Sequence, residues 1–532
     1  MMIRNSVLVC VGLLLLVIGT LISVSYNTIT HLITTKVLTL APTSTIFHLW
    51  QKTPMPLSMK VYFFNWTNPE ELMLEGFKPN LVEVGPYYFK EYIEKTNVTW
   101  NQNRTISYAV RRTWITDEEN SNGSLSDRIL SLNAVAVSAA YAERHSNSLL
   151  RYTLSNTMRF TGQKVWTSQT VGDLLFYGYS DPLLTLANKM QSITNKQVPG
   201  DKFAWFYKWN ASSDYEGLFN METGEDDMYK LGLLRTWNYK NQSDSFAHEC
   251  GHITGSTGEL NPPGQRRDKP LEIFNTEFCK SLKLHYSEDT EVLGVPGYKY
   301  VGGRDIMDSG TIDPANWCNC EEAQCPPQGI LNVSLCHYGS PGFMSYPHFL
   351  YADPYYASKV NGMHPDPEKH SLHVTLEPKT GTPLDVVGRF QINLLLQPHG
   401  DIALFRNVPT IYFPMLWLEK TASIPNYLAF QLNILLHLPT IGLCISIILI
   451  ITGVVMLAVV IVPRYRQQFD FHPHKGETPI YKSQRDLFTL DGIRSLVTPG
   501  KQHVVLSPEE SSLINTTLAN PVKSGIDEEK LS

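Results

Sequence analysis

The sequence predicts an α+β, mainly β protein in which two terminal transmembrane helices flank one large domain. Two apolar runs carry this prediction, because neither contains Asp, Glu, Lys or Arg and each is long enough to cross a hydrocarbon core of about 30 Å. The chain between them is polar and contains short alternating patterns that are typical of strands. We therefore assign transmembrane helices to residues 7–26 and 438–462 and a single domain to residues 27–437.

Charged residues beside the apolar runs predict the orientation of the chain. Arg4 precedes the first run, and Arg464 and Arg466 follow the second. Since positive residues favour the cytoplasmic side, residues 1–6 and 463–532 are predicted to be cytoplasmic and the central domain extracellular or lumenal. The alternative for the first run is a cleaved signal peptide, whose apolar core is usually about 7–15 residues long. No clear small-x-small cleavage site follows this run, so we expect an uncleaved anchor.

Glycosylation motifs agree with that orientation. Seven N-x-S/T sequons lie in the central domain, whereas the tail contains one, at Asn515. We predict glycans, and hence surface positions, at the seven. They are Asn65, Asn97, Asn103, Asn122, Asn210, Asn241 and Asn332.

Cysteine spacing also indicates an oxidising compartment. Six of the eight cysteines fall between Cys250 and Cys336, and the other two lie within the apolar runs. An even cluster predicts three disulfides, for which about 15 pairings exist. The alternative is a zinc site on Cys318, Cys320 and Cys325, but a second CxxC pair is missing and lumenal thiols oxidise.

Composition and patterning predict what the central domain contains. A net charge of −6 with 18% charged residues indicates no polyanion-binding surface, so nucleic acid is not an expected partner. Residues 104–115 predict a strand with Ile106, Tyr108, Val110 and Trp114 on one face.

One region of the domain is predicted to be helical. Small apolar residues crowd together after Ser126, a candidate helix start, and two further stretches at 170–177 and 182–190 complete a cluster over 126–190. His145, within this cluster, is either an exposed residue at a helix end or a pH-sensitive part of a partner-binding surface.

A zinc-protease pattern is present, and we predict that it is not catalytic. His248, Glu249 and His252 match H-E-x-x-H, which requires both histidines one helical turn apart and a third ligand. Gly258 occupies the position of the third ligand, and Gly251 interrupts the helix. A zinc ectopeptidase is therefore the remote alternative, and we predict no catalytic residue, metal or cofactor.

The tail carries a predicted sorting signal. Its mixed charge and scattered Pro and Ser predict disorder. Glu509, Leu513 and Ile514 match the acidic dileucine pattern that clathrin adaptors bind in extended form. This signal makes endosomal or lysosomal cycling an alternative to residence in the plasma membrane.

The chain resembles the class B scavenger receptors, a family that includes fatty-acid and lipoprotein receptors, a lysosomal integral membrane protein and insect sensory-neuron membrane proteins. The resemblance covers nearly the whole chain except the tail. It rests on the cysteine window and on EVGPYYF (83–89), TVGDLLFYGYSDP (170–182), SYPHFLYADP (345–354), LEPKTG (376–381) and PMLWLEK (414–420), in this order.

The resemblance implies a β-barrel-like ectodomain with a helical bundle at the apex, which the 126–190 cluster would supply, and an internal apolar tunnel leading toward the bilayer. It also implies the pairs Cys250–Cys318, Cys279–Cys336 and Cys320–Cys325. Many fatty-acid-binding members carry lysines before the LLFYGYSDP segment, whose spacing here is one residue longer than usual. Arg159 and Lys164 are the neighbours of those positions and the candidate ligand contacts.

Two functional hypotheses follow from the resemblance. The first is a receptor that captures lipids or lipoproteins and passes the hydrophobic ligand through the tunnel into the bilayer. The second is a trafficking receptor that binds a protein cargo at the apex and carries it to lysosomes by means of the tail signal.

Overall fold

A computed structural model of the chain describes residues 2–194, 200–320 and 325–469. Residues 1–463 form one unit, and residues 464–532 form a second unit that is described only up to residue 469. The predicted disordered tail beyond that point, together with its sorting signal at Glu509, Leu513 and Ile514, lies outside the described residues.

Two long terminal helices contain the predicted spans and extend beyond them. Helix α1 runs over Met2–Leu38 and α8 over Asn426–Phe469, and each is long and apolar enough to cross a membrane. The predicted domain limits, 27 and 437, therefore fall inside helices. Apolar composition indicates only which part of a helix crosses the bilayer, whereas helical hydrogen bonding extends beyond that part. Helix α1 ends shortly before Pro42, and α8 begins directly after Pro425.

Glycines bring the two long helices into contact. A Cβ added at Gly453 would lie 2.8 Å from the carbonyl oxygen of Gly12, and a Cβ at Gly19 would lie 2.7 Å from Cγ1 of Ile450. Ser446, on the same face of α8, is buried. Small residues at a helix crossing allow backbones to approach closely inside a bilayer, where the hydrophobic effect does not drive helices together.

Strands dominate the region between the long helices, so the predicted α+β, mainly β class is confirmed. The strands are β1 Leu57–Trp66, β2 Leu81–Trp100, β3 Thr105–Thr116, β4 Arg128–Leu132, β5 Trp166–Thr170, β6 Leu218–Glu222, β7 Leu234–Trp237, β8 Leu271–Asn275, β9 Lys280–Val292, β10 Val295–Gly302, β11 Leu331–Asn332, β12 Gly342–Ser345, β13 His373–Leu376, β14 Pro383–Leu396 and β15 Ile411–Ser423. Among the described residues, thirteen of them join one antiparallel sheet in the order β7-β6-β3-β2-β1-β15-β14-β13-β10-β9-β8, with β11 and β12 branching from β14.

The sheet is closed into a barrel by a short segment between its two edge strands. The N–H of Leu234 in β7 donates to the carbonyl of Gly255 (2.8 Å), and the N–H of Phe274 in β8 donates to the carbonyl of Ser256 (2.8 Å). Gly255 is required here because its φ is +74° and a Cβ would lie 2.0 Å from the carbonyl oxygen of Glu272. The edges of the sheet are thereby bridged.

The shorter helices include a cluster at the end of the barrel away from the membrane. They are α2 Thr45–Gln51, α3 Ala134–Ala142, α4 Ser148–Phe160, α5 Pro182–Thr194, α6 Pro354–Ser358 and α7 Pro367–His370. Leu57, which follows the first membrane helix, pairs with Ala422, which precedes the second. The other end of β1 contacts β4, the strand directly before α3, since Asn65 Oδ1 accepts a hydrogen bond from Leu130 N (2.8 Å). Helices α3, α4 and α5 therefore lie at the apical end.

The boundaries predicted for this helical cluster were partly wrong. Ser126 does not begin a helix, because residues 128–132 form strand β4, which pairs with β5. Asn133 is the actual N-cap of α3, and its side chain accepts a hydrogen bond from Ala136 N (3.1 Å). A π-helix at Asp173–Tyr177 replaces the predicted stretch 170–177, and α5 extends past residue 190. Cross-strand pairing outweighs local helix propensity in this segment.

Candidate functional site

Apolar side chains on the inner face of the barrel belong to two buried clusters. Phe89 of β2 and Trp114 of β3 belong to a large cluster that also extends over the outer face of the sheet, and we call its part inside the barrel the apical cluster. The membrane-end cluster includes Leu38 at the end of α1 together with Tyr108 and Val110 of β3. The predicted strand face in β3 is confirmed, since all four of its apolar side chains are buried. Arg112 lies on the same face, between Val110 and Trp114, because side chains alternate along a strand.

Charged side chains form a layer where the two clusters meet. Arg112 pairs with Glu91 of β2 (2.6 Å) and with Glu216. Lys95 of β2 lies opposite Val110, one inward position closer to the membrane end than Arg112, and pairs with Glu259 (2.6 Å). Lys420 of β15 pairs with Glu277. We call this layer the charged belt; its seven members are Glu91, Lys95, Arg112, Glu216, Glu259, Glu277 and Lys420.

Electrostatics links the members of the belt. Burial alone would raise the pKa of Glu277, but Lys420 and Arg112 outweigh it and hold that pKa at about 2. Burial opposes the charge of Arg112 as well, yet Glu216 and Glu91 raise its pKa. Burial lowers the pKa of Lys95, against the opposing attraction of Glu259. Removing one partner of a buried ion pair leaves the other charge uncompensated, which destabilises the fold.

Open space adjoins the belt. The side chains of Arg112, Lys420 and Glu277 lie inside the barrel, yet 22%, 20% and 13% of their surfaces remain accessible. Gly388 of β14 lies opposite Lys420, and a Cβ added there would have only the carbonyl oxygen of Lys420 within 4 Å, at 3.9 Å. Directly opposed residues share a face, so Gly388 also faces the interior. The barrel is therefore not completely filled at this level.

The apical end offers an apolar surface. Helix α4 exposes Leu149 (72%), Tyr152 and Phe160 (89%). A cleft of about 1510 Å³ lies beside helix α3. It is lined by Tyr141, Arg144 and His145 at the end of that helix and by loop residues near the disulfides. Exposed apolar side chains grouped on one helix are typical of interaction sites.

The candidate ligand contacts lie near this surface but do not line the cleft. Arg159 is exposed in the last turn of α4, and exposed Lys164 places its ammonium 5.5 Å from the ring centre of Trp166. Neither belongs to the residues around the 1510 Å³ cleft. Their role in ligand binding stays a prediction.

The three disulfides join the same cysteines that the resemblance implies. The Cα–Cα distances are 5.7 Å for Cys250–Cys318, 6.0 Å for Cys279–Cys336 and 5.9 Å for Cys320–Cys325. Of the predicted glycosylation sites, Asn97, Asn103, Asn122, Asn210 and Asn241 are exposed, and Asn65 and Asn332 are half-buried.

The zinc-protease pattern does not have the geometry that zinc binding needs. Residues His248–Gly251 form a short 3₁₀ helix, His248 has a φ of +52°, and Cys250 is in a disulfide. The ring of His248 packs against Trp317, with the centroids 5.1 Å apart. Within the described part of the chain, no three metal-ligating side chains converge. Gly255, three residues after His252, lies in the segment that closes the sheet.

A polar cluster on the outer face of the sheet was not predicted from the sequence. His348 Nδ1 accepts a hydrogen bond from His364 N (3.1 Å), so His348 Nε2 carries the hydrogen that it donates to Glu83 (2.7 Å). Trp417 Nε1 donates to the same carboxylate (2.8 Å). His370 stacks on His348 at 4.5 Å between ring centres. We call Glu83, His348, His370 and Trp417 the outer cluster.

The outer cluster holds His370 in its neutral form. Its Nδ1 accepts a hydrogen bond from Asp366 N (3.0 Å). Burial, together with the neighbouring His348, lowers the pKa of His370 to about 4. The buried position of His370, at the end of α7 and facing the sheet, indicates a structural role.

These features define a class of protein, a two-span membrane protein with a closed antiparallel ectodomain. The family model described as "CD36 family" matches residues 9–463. Among similar proteins, "Protein peste" of Drosophila melanogaster is 34% identical over 78% of this chain and 75% of its own length, and "Scavenger receptor class B member 1" of Bos taurus is 31% identical over 86% and 89%. "Lysosome membrane protein 2" of Homo sapiens is 32% identical over 77% and 83%. The chain belongs to the CD36 family.

Proposed function

We propose that this protein is a class B scavenger-type receptor that binds hydrophobic ligands, either lipids or lipoproteins, and passes lipid through the barrel to the membrane. The observation that carries the proposal is the unfilled space at the belt, inside a closed sheet whose two ends are apolar. A lipid that moves between two apolar regions does not expose its apolar surface to water. Such exposure would cost about 25 cal/mol per Å² in free energy. No covalent chemistry is part of the proposal.

The proposed topology places both termini in the cytoplasm and the glycosylated, disulfide-bonded barrel outside the cell or in an organelle lumen. Arg4 and Arg464 at the ends of the spans support this orientation. We propose the plasma membrane as the main location, with endosomes or lysosomes as the alternative that the relative named lysosome membrane protein 2 supports. Clathrin adaptors are the proposed partners of the tail.

The test is to block the interior at Gly388. A Gly388→Trp substitution would fill the space opposite Lys420, whereas Gly388→Ala adds one methyl group where there is room. Both variants are expressed in cells as full-length chains, and uptake of a fluorescent lipid is normalised to the amount at the cell surface. We expect uptake to fall to background for Gly388→Trp and to remain for Gly388→Ala. Undiminished uptake by a surface-expressed Gly388→Trp variant would exclude passage through the barrel.

A second candidate function is transport of a protein cargo, and the exposed apolar face of α4 favours it. Leu149, Tyr152 and Phe160 present a surface that a partner protein would cover. Under this proposal the cargo binds at the apex and the complex travels to lysosomes through the tail signal.

The two candidates respond differently to the same substitutions. Leu513→Ala/Ile514→Ala should move the protein to the cell surface and abolish cargo delivery, while lipid uptake per surface molecule stays constant. Leu149→Ser/Phe160→Ser should abolish cargo binding without changing the location of the receptor. Unchanged location of the Leu513→Ala/Ile514→Ala variant would remove the main support for a trafficking role.

A further inference from the structure

The charged belt divides the route that a ligand would follow through the barrel. On β3 the inward row changes from Trp114 of the apical cluster to Arg112 of the belt and then to Val110 of the membrane-end cluster. On β2, Glu91 follows Phe89 of the apical cluster in the same way. A ligand that moves from one apolar cluster to the other must therefore pass the belt.

The belt has an excess of negative charge. Its four carboxylates are Glu91, Glu216, Glu259 and Glu277, and its three cations are Lys95, Arg112 and Lys420, which leaves one formal negative charge uncompensated. Neighbouring His337 does not offset it at neutral pH, because burial lowers the pKa of its imidazole. All three cations are already committed to carboxylates of the belt.

An anion meets two costs at this layer. It approaches a site of its own sign in a region that excludes most water, where charges interact more strongly than in bulk solvent. To bind Arg112 or Lys420 it would also have to displace a buried carboxylate, which would leave that carboxylate unpaired. A neutral or cationic head group meets neither cost and finds carboxylate oxygens as hydrogen-bond acceptors.

We infer that the charged belt makes the barrel selective, so that neutral and cationic amphiphiles pass from the apical to the membrane-end cluster and anionic amphiphiles do not. This inference rests on the proposed function. It names the chemical class of ligand from the residues of the belt, and it assigns Glu91 and Glu216 as specificity-determining residues.

Three photoreactive probes with the same alkyl chain test the inference: an alcohol, a trimethylammonium and a sulfate, whose charges do not change with pH. The full-length protein is placed in lipid nanodiscs, exposed to each probe and irradiated. Trypsin cleavage at Arg104, Arg111 and Arg112 separates residues 105–111, on the membrane side of the belt, from residues 113–128, on the apical side. Adducts on each deglycosylated peptide are counted by mass spectrometry.

We expect the alcohol and the ammonium to label both peptides and the sulfate to label the apical peptide alone, with a membrane-side to apical ratio at least about ten-fold lower than that of the alcohol. Glu91→Gln should raise the ratio for the sulfate, and Glu91→Gln/Glu216→Gln should raise it further, because each substitution removes one negative charge from the belt. Gln is chosen because its amide oxygen still accepts a hydrogen bond from Arg112. Asp268→Asn is the matched control, since it removes one negative charge from an exposed pair with Arg266.

The possible failures are distinguishable. If the sulfate labels the membrane-side peptide of the unsubstituted protein as strongly as the alcohol does, the selectivity of the belt is disproved while passage through the barrel stands. If no probe labels either peptide above a sample competed with excess unlabelled alcohol, the proposed function itself fails. The comparison of three probes on the unsubstituted protein needs no variant, so it remains decisive if a belt variant misfolds.

Discussion

Glu419 and Lys420 are consecutive in β15, yet they belong to two regions with opposite character. Glu419 lies on the outer face, where it pairs with Lys60 (2.6 Å) and Arg389 (2.7 Å) beside the outer cluster. Lys420 lies on the inner face and pairs with Glu277 in the charged belt. The outer cluster is covered by the segment that carries His348 and His370, whereas the belt borders open space. Polar groups on the covered face stabilise the fold, and those facing the space are the groups that a ligand would meet under the proposed function.

The largest expected effect is the loss of an outer-cluster ring. Trp417 stacks on Tyr62 with 3.9 Å between ring centres and donates to Glu83. We expect Trp417→Ala to lower the free energy of unfolding by about 3–5 kcal/mol, as for other large buried rings. Chemical unfolding of the detergent-solubilised chain measures this change. Trp317→Ala is the control, because Trp317 is 50% exposed, and an equal loss in both variants would contradict the structural role of the cluster.

The belt should react differently to single and double substitutions. Lys420→Met leaves Glu277 buried without its cation, and we expect a loss of about 3–5 kcal/mol in unfolding free energy. Glu277→Gln/Lys420→Met removes both charges and should restore most of that loss, since well-packed neutral pairs often replace buried ion pairs without cost. Unfolding curves of the two variants test this, and a double variant less stable than the single one would refute it.

Acid should destabilise the outer cluster at a higher pH than it destabilises the belt. The pKa of His370 falls from its usual 6.5 to about 4 on folding. The unfolded chain therefore binds a proton that the folded chain does not, and stability falls as the pH drops from 6.5 toward 4. The pKa of Glu277, lowered to about 2, contributes stability that is lost only below its usual 4.5.

The measurement for this prediction is the unfolding midpoint as a function of pH. His370→Gln should make the curve less steep between pH 6.5 and 4.5, where Glu277 of the folded chain stays ionised. His337 and His399, whose pKa values are also lowered by burial, keep part of the slope. Glu83, Asp366 and Arg389 also face His370 and remain in place in this variant. A curve that keeps its full slope in this range without His370 would assign the pH dependence to another group.

The smallest expected effect is at the contact between the membrane helices. Gly19→Ala would place a Cβ 2.7 Å from Ile450 Cγ1 and 3.0 Å from the carbonyl oxygen of Ser446, so the helices must separate, at about 1–3 kcal/mol for such overpacking. Gly442→Ala meets its nearest atom at 3.4 Å and should be neutral or slightly stabilising. Thermal midpoints in lipid nanodiscs compare the two, and identical shifts would show that Gly19 does not contribute to the contact.

Features with a local signal were predictable from the sequence. The apolar runs gave the membrane helices, and the alternation around Tyr108 gave β3 and its buried face. Arg112 interrupts that same row, but its partners Glu91 and Glu216 come from other parts of the chain, so the belt becomes visible only when the strands are paired. The start of α3 was misplaced because Ser126 has the chemistry of an N-cap while pairing with β5 decides the structure of the next residues.

The outer cluster depends even more on tertiary structure. Glu83 and Trp417 lie in two of the segments that carried the resemblance, and His348 lies in a third, but their hydrogen bonds join positions hundreds of residues apart. The positive φ of His348, +54°, has no signature in a single sequence either. Such sites are found by accounting for buried polar groups rather than by periodicity.

The most direct test is to identify the lipids that remain bound to the purified full-length protein. Mass spectrometry of small molecules released from the unsubstituted chain is compared with that of Gly388→Trp, prepared in the same detergent. Passage through the barrel predicts a lipophile that is enriched in the unsubstituted protein and absent from Gly388→Trp. The same lipid composition in both preparations would contradict a ligand inside the barrel and would favour the apex as the only binding surface.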